Sequence, residues 1–372
     1  MFIELHMIQN FAPSNLNRDD TNNPKDCEFG GVRRARISSQ CIKRSIRQSP
    51  IFAETTATEQ GYRTRWMTQC LLKSFEAAGK PGDAAKQIAI AFADAYAGVD
   101  GKKKERTSVL IYLSKEEIDD IVRTLLDNWE TIKDPSEKSA QEAIDKLVKD
   151  LVKRTQNRTS APDIALFGRM LANEPKLNLD ASCQVAHAIS THRVNMEMDY
   201  FTAVDDLQNE EETGAAMIGV TGFNSACFYR YARLDMNKLI ENLDGNTDLA
   251  RRTVEGFLRA SVAAVPTGKQ NSFAAQNPPS FLLAVVRKDG MSWSLANAFE
   301  KPVFPTREKS LVSGSIAAAD GFWGRLTKVY GGASVPVVLT LEEDAPLQAL
   351  ADAQVDTLEE WINAVLDKLP QE

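Results

Sequence analysis

Three histidines, five cysteines and several pairs of adjacent aspartates are the side chains that could ligate a metal, attack an electrophile or move a proton. Catalysis needs them in a usable constellation, with a base beside a nucleophile or ligands converging on one point. His187 and His192 stand five apart in a segment that reads as helical, whereas two ligands on one helix face need a spacing of about three or four. Cys27, Cys41, Cys70, Cys183 and Cys227 are odd in number and contain no C-x-x-C pair, which fits reduced, small apolar residues better than a disulfide framework or a zinc site. Asp19-Asp20, Asp119-Asp120 and Asp205-Asp206 could offer carboxylates to a cation, but adjacent acids are common on solvated loops and helix faces. Gly30-Gly31 and Gly331-Gly332 lack the G-x-G-x-x-G and G-x-x-x-x-G-K-[ST] contexts that cradle phosphate and read as turn glycines. The residues point away from catalysis, and neither a metal nor a cofactor is expected.

The chemistry better supplied is the grip on a single-stranded nucleic acid, which needs cations along the phosphates and flat or apolar side chains against the bases. The chain as a whole carries a net charge of -7, an argument against nucleic acid until the distribution is considered. Between Gly30 and Gln48 stand Arg33, Arg34, Arg36, Lys43, Arg44 and Arg47 with no acid, a local charge of +6. Leu339 to Glu372 holds nine acids against Lys368 alone, a local -8. That asymmetry suits head-to-tail association of copies or a shielded outer face, although a solvated charged surface explains it equally simply. A polar loop adds Arg18 and Lys25. Farther on, MEMDYFTAVDD sets Tyr200 and Phe201 among acids and is followed by the small and apolar TGAAMIGVTGFNSA, a pair of segments that reads as an extended hairpin arm.

These residues need elements to position them. Ile3, Leu5 and Met7 alternate with Glu4 and His6, the period of a half-buried strand. Ser38 and Ser39 offer N-caps to a helix whose Ile42 and Ile46 face a core, leaving Gln40, Lys43 and Arg47 together on another face. From about Arg63 to His192 the pattern is helical. Ser114 and Glu117 form a capping box ahead of the stripe Ile118, Ile121, Val122, Leu125, Leu126 and Trp129, and Ala140, Ile144, Leu147, Val148 and Leu151 make a second stripe. Strands return at Cys227–Leu234 and Phe281–Arg287, the latter before an Asp289-Gly290 turn, with a helix through Leu249, Phe257, Leu258 and Val262 between them. With β-rich ends and a helical middle, the economical architecture is a mixed α+β domain interrupted by a helical insertion. At 372 residues and 43% hydrophobic content, the chain can bury a substantial core. It shows no membrane-length apolar run and no basic flank or cleavage site at MFIELHMIQNF, so a cytoplasmic protein without membrane partners is expected.

NLNRDD, DCEFGGVRRARISSQCIKRSIR, AHAISTH, DYFTAVDDLQ, FYRYA and LANAFEK together resemble the CasC subunits, the crRNA-binding backbone, of type I-E CRISPR Cascade surveillance complexes. The similarity runs from the first strand to the C-terminal helix and is loosest in the helical middle. It implies a non-catalytic, right-hand-like subunit: an RRM-like (ferredoxin-like) palm from residues 1-57 and 227-372, helical fingers over 58-192 and a β-hairpin thumb over 193-226. Copies would polymerise along the crRNA spacer, with other Cascade subunits as partners, and leave bases free to pair with target DNA. Carried over by position, Arg18, Lys25, Ser38, Gln40, Lys43 and Arg47 would hold phosphates and riboses, and Met170 would pack on a base. Tyr200, Phe201, Thr202 and Val204 with Ile218 and Gly219 would form the wedge that kinks the RNA. Tyr200 stands where relatives can have Trp, keeping a stacking face of smaller area. The Lys146, Lys149, Lys153 and Arg154 face would steer duplex DNA or serve simply as a solvated surface. An alternative is a metal-dependent endoribonuclease resembling type III backbone subunits, using Asp26 or Asp20.

Overall fold

The computed structural model describes residues 1–171, 174–203, 217–331 and 334–371. The chain folds as two compact units, one made of residues 1–52, 184–234 and 257–369, the other of 53–183, 235–256 and 370–372.

The first unit is built on a sheet of β1 (Phe2–Ser14), β2 (Asp26–Phe29), β3 (Val32–Ile37), β4 (Ala188–Ser190), β5 (Glu197–Ala203), β6 (Met217–Asp235), β7 (Phe281–Arg287) and β8 (Ser334–Thr340). Its main path runs β8-β7-β1-β6-β4-β3-β2, and β5 pairs with the first part of β6. β7 is antiparallel to both β1 (Ile8 opposite Phe281) and β8 (Phe281 opposite Thr340). All seven residues of β7 are buried: Phe281 to Val286 form the continuous apolar run of a central strand, and Arg287 is paired with Glu4.

β1 departs from the half-buried strand that its alternation suggests, because every residue from Ile3 to Gln9 is buried. The sheet carries helices on both faces. Leu5 and Met7 share a small cavity with Ile42, Ile46 and Phe257, while Ile8 packs with Tyr229, Trp293, Ile316 and Trp323 under the Leu311–Tyr330 helix. The alternating polar residues are buried with partners. Glu4 pairs with Arg287 and accepts from the Trp293 amide at 2.7 Å. The Tyr229 hydroxyl accepts from the Leu295 amide and contacts His6 Nδ1, each at 2.8 Å. Burial holds the His6 pKa down at about 3, so the ring is neutral beside Tyr229.

In the second unit, the helices Met67–Ala77, Asp83–Ala97, Lys115–Asp127 and Lys138–Thr155 share one core of Leu71, Phe75, Ile88, Phe92, Ile121, Leu125, Ile144 and Val148. The expected capping box is present: Ser114 Oγ accepts from the Glu117 amide at 3.0 Å and Glu117 Oε2 from the Ser114 amide at 2.6 Å. The helical reading through His192 requires correction. Cys183–Val185 and Ala188–Ser190 are strands, and neither His187 nor His192 is on a helix. Their short apolar stretch is drawn into strand pairing, Ile189 opposite Tyr229 and Ser190 opposite Phe228, which local pattern does not report.

Candidate nucleic-acid interface

The Ser39–Arg47 helix begins where the sequence places it. Ser38 is the N-cap, its Oγ accepting from the Cys41 amide at 3.3 Å, and Ile42 and Ile46 are buried. No acid lies in the first turn, and Arg44 and Arg47 occupy the last, where cations complement the helix dipole. Gln40 is exposed and Lys43 and Arg47 are half-buried, whereas Ser38 is buried with its oxygen committed to the cap.

The preceding loop is fastened to this helix. Asn17 Oδ1 accepts from the Ser38 amide at 2.8 Å, the Lys25 amide donates to Asn17 O at 2.8 Å, and the Arg36 amide to Lys25 O at 2.9 Å. Asp19 closes a turn by accepting from the amides of Thr21 and Asn23 and from the Thr21 hydroxyl, which holds its carboxyl below the usual range. Arg18 Nη1 donates to Asn22 Oδ1 at 2.6 Å. The loop and helix contribute to an open cleft of about 490 Å³ whose lining includes Arg18, Asp19, Asp20 and Arg44. Arg44 belongs to this cleft rather than to the Gln40, Lys43, Arg47 face, although along the sequence it registers only as charge. Its spacing from Cys41, another lining residue, is the signal that locates it.

Not all of the local positive charge is available. Arg34 is fully buried and donates to the carbonyls of Phe29, Ser190, Phe299 and Glu300 at 3.1, 3.1, 2.8 and 3.1 Å, so it is a brace for the β2–β3 turn. Arg33 pairs with Asp26 at 3.0 Å. His187 Nδ1 accepts from the Ser39 amide at 3.2 Å and lies 3.3 Å from Arg36 Nη1. Burial, then Arg36 and Lys25, lower its pKa, which keeps that nitrogen an acceptor at the helix start.

The hairpin arm is an antiparallel ladder running from Glu197 opposite Phe223 to Ala203 opposite Met217. All of β5 is exposed, and Met198, Tyr200, Phe201, Met217, Ile218 and Val220 stand in solvent at 40% or more. Because successive side chains alternate, Tyr200 and Thr202 share one face with Val220 and Ile218, and Phe201 lies on the other with Met217. Tyr200 and Phe201 cannot stack from the same side. A side chain at Gly219 would meet the Phe201 ring at 2.3 Å, so this glycine leaves the space the ring occupies. At the root of the arm, Asn15 Nδ2 donates to Gly222 O at 2.8 Å, and a Cβ on Gly222 would meet Asn23 Oδ1 at 2.5 Å. Val204 lies outside the described residues, as do Asp205 and Asp206.

Met170 belongs to the second unit and is 85% exposed. Its neighbour Arg169 is buried, paired with Glu117 at 2.7 Å and donating to Leu177 O at 2.7 Å, which anchors the segment from which Met170 projects. Lys146, Lys149, Lys153 and Arg154 are exposed on the Lys138–Thr155 helix. Among the described residues no three His, Cys, Asp or Glu side chains are grouped to hold a metal ion, and no helix is long and apolar enough to cross a membrane.

The family model of the CT1975-like proteins matches residues 3–367. The chain belongs to this family. A solved chain of a "CRISPR RNA-guided surveillance complex, pre-nicking" is similar at 30% identity and a TM-score of 0.87, with 99% of each chain covered. A chain of a "CRISPR RNA-guided surveillance complex" is similar at 25% identity and a TM-score of 0.64, again over 99% of both. No curated protein is a significant match. Over its full length the CT1975-like chain is thus similar to chains of CRISPR RNA-guided surveillance complexes.

Proposed function

We propose that this CT1975-like protein is the non-catalytic backbone subunit of a type I-E CRISPR Cascade complex. It binds the crRNA spacer through its sugar-phosphate backbone, lines up with copies of itself, and kinks the strand with its hairpin so that the intervening bases pair with target DNA. Residues 1-57 and 227-372 act as an RRM-like palm, 58-192 as fingers and 193-226 as thumb. The crRNA, neighbouring copies, other Cascade subunits and, through the guide, target DNA are its partners.

One observation carries the reading. The exposed apolar hairpin is rooted through Gly222 on the Asn15–Lys25 loop, and that loop is itself tied through Asn17 to the acid-free helix start. Backbone-gripping cations and a base-displacing wedge are thus held at a fixed relation within one unit. Arg18, Lys25, Gln40, Lys43 and Arg47 hold phosphates and riboses. Ser38 acts by fixing the helix start, Met170 packs on a base, and the two faces around Tyr200 and Phe201 address bases on opposite sides of the kink.

A backbone grip ignores base identity, leaving sequence to Watson–Crick pairing. Guides of equal length and unrelated sequence should therefore bind within about the cost of one mismatch, roughly 1–3 kcal/mol. Competition binding of such guides tests this, and a wider spread of affinities would overturn the mechanism.

A further inference from the structure

The hairpin arm is held at its root from both faces, and one of the two jaws takes no part in the RNA grip. On the face that carries Tyr200, Gly222 closes against the polar loop: a Cβ there would meet Asn23 Oδ1 at 2.5 Å, Met196 Sδ at 3.0 Å and Pro24 Cδ at 3.2 Å. On the opposite face stands Phe223, which alternation places on the side of Gly219 and Phe201. Its ring meets that of Phe273, with 5.7 Å between centroids and 40° between planes. Both phenylalanines are half-buried.

The segment that presents Phe273 is built to hold it. Gln270–Phe273 forms one helical turn flanked by Lys269 and Ala274, both in the left-handed region at φ 50° and 47°. L-residues adopt that conformation rarely, and two so close together persist only where the surroundings enforce them. Gln270 Nε2 spans the turn, donating to Pro266 O at 3.0 Å and to Ala275 O at 3.2 Å, and Gln9 Nε2 of β1 donates to Asn277 O at 2.7 Å. Gly268 approaches the polar loop so closely that a Cβ would meet Leu16 O at 2.3 Å. The turn therefore leans on the same Asn15–Lys25 loop that holds Gly222, and the two jaws close on each other around the root of the arm.

We propose that Phe273 is a positioning residue for the RNA wedge, fixing through Phe223 the direction in which the arm leaves the sheet and so the displacement of the base; this rests on the kinking reading above. Glu197–Ala203 is exposed throughout, so the arm takes its direction from its root. An uncovered two-stranded ribbon is marginally stable and does not hold a direction by itself. Without the Phe223–Phe273 contact, one face of the root is unsupported, and Tyr200 and Phe201 meet the guide over a spread of angles.

The test assembles the full chain with its partner subunits on guides carrying 2-aminopurine at successive single positions, whose emission distinguishes a displaced base from a stacked one. Wild type should give a periodic pattern along the guide. Phe273→Ala should lower the ratio of displaced to stacked base roughly two- to tenfold, the scale of one aromatic pair. Phe273→Tyr, which keeps the ring, should restore the pattern. Phe223→Ala should reproduce the loss, and the double variant should add nothing to it. The salt slope of guide retention, set by the palm cations, should stay as in wild type. A wild-type emission pattern in the Phe273→Ala complex would overturn the proposal, even with a lowered urea midpoint, because the ring would then serve stability alone. A reduced salt slope in that variant would overturn it too, by placing the defect in the palm. Absence of any periodic pattern in wild type would refute the kinking reading itself, and the positioning role with it.

Discussion

Arg34 is the position where the structure most changes what a substitution should do. Counted along the chain it is one cation in an acid-free run, and a phosphate role would predict that Arg34→Met weakens RNA binding without affecting folding. In the structure its guanidinium is fully buried and makes four hydrogen bonds to backbone carbonyls of the β2 end, β4 and the Phe299–Glu300 turn, at 2.8–3.1 Å. Burial lowers its pKa, the direction expected for a desolvated cation without a carboxylate beside it. A hydrogen bond from a charged donor contributes about 1.5–3 kcal/mol, and carbonyls stranded by methionine each lose a partner they cannot replace in a dry site. After discounting for relaxation and for the desolvation cost that arginine itself bears, Arg34→Met should destabilise the protein by about 3–5 kcal/mol. Urea unfolding followed by tryptophan fluorescence measures this as a fall in midpoint at constant slope. A loss below about 1 kcal/mol, with RNA affinity reduced instead, would refute the assignment of Arg34 as a brace.

Two further outcomes follow from buried and crowded positions. His6 has its pKa lowered from 6.5 to about 3 by burial, so its contribution to stability is complete above pH 6.5 and is lost as pH falls toward 3, at about 1.4 kcal/mol per pH unit. Glu4, whose pKa burial raises, works in the opposite sense, so the diagnostic is the difference: His6→Gln should flatten the acid limb of stability against pH, and parallel limbs for the two proteins would contradict a neutral buried His6. At the hairpin, Gly219→Val should displace the Phe201 ring from the space it occupies and weaken RNA binding about as much as Phe201→Ala does. The double variant should be no worse than either single change, and additive losses would show that the two positions act separately.

The local grammar of this chain is legible where neighbours in sequence are neighbours in space. The Ser38 cap, the Ser114–Glu117 capping box, the apolar stripes of the Lys115–Asp127 and Lys138–Thr155 helices and the six-residue apolar run of β7 all follow from spacing alone. The hairpin arm is readable too, from apolar residues flanked by acids, but not its division into a Tyr200 face and a Phe201 face, which depends on register. What escapes depends on partners distant in sequence. β1 looks half-buried until helices cover both faces of the sheet, and His187 sits beside Ser39 across 148 positions of chain. Arg34 and Arg44 are indistinguishable as charges, yet one is enclosed by four carbonyls and the other lines a cleft with Arg18. The assignment of RNA rather than another polyanion rests on motif resemblance, since charge counts identify a sign and not a ligand.

The central claim is that the palm helix grips an RNA backbone. It is tested most directly by purifying the chain with a guide and its partner subunits at near-physiological salt and measuring guide retention against salt for wild type and Lys43→Ala/Arg47→Ala. The account predicts that wild type retains RNA and that the double variant loses it, with the salt slope reduced by about 0.7 per phosphate no longer neutralised, roughly 1.4 for the pair. A wild-type protein that holds no RNA under these conditions, or a double variant with undiminished retention and slope, would contradict it.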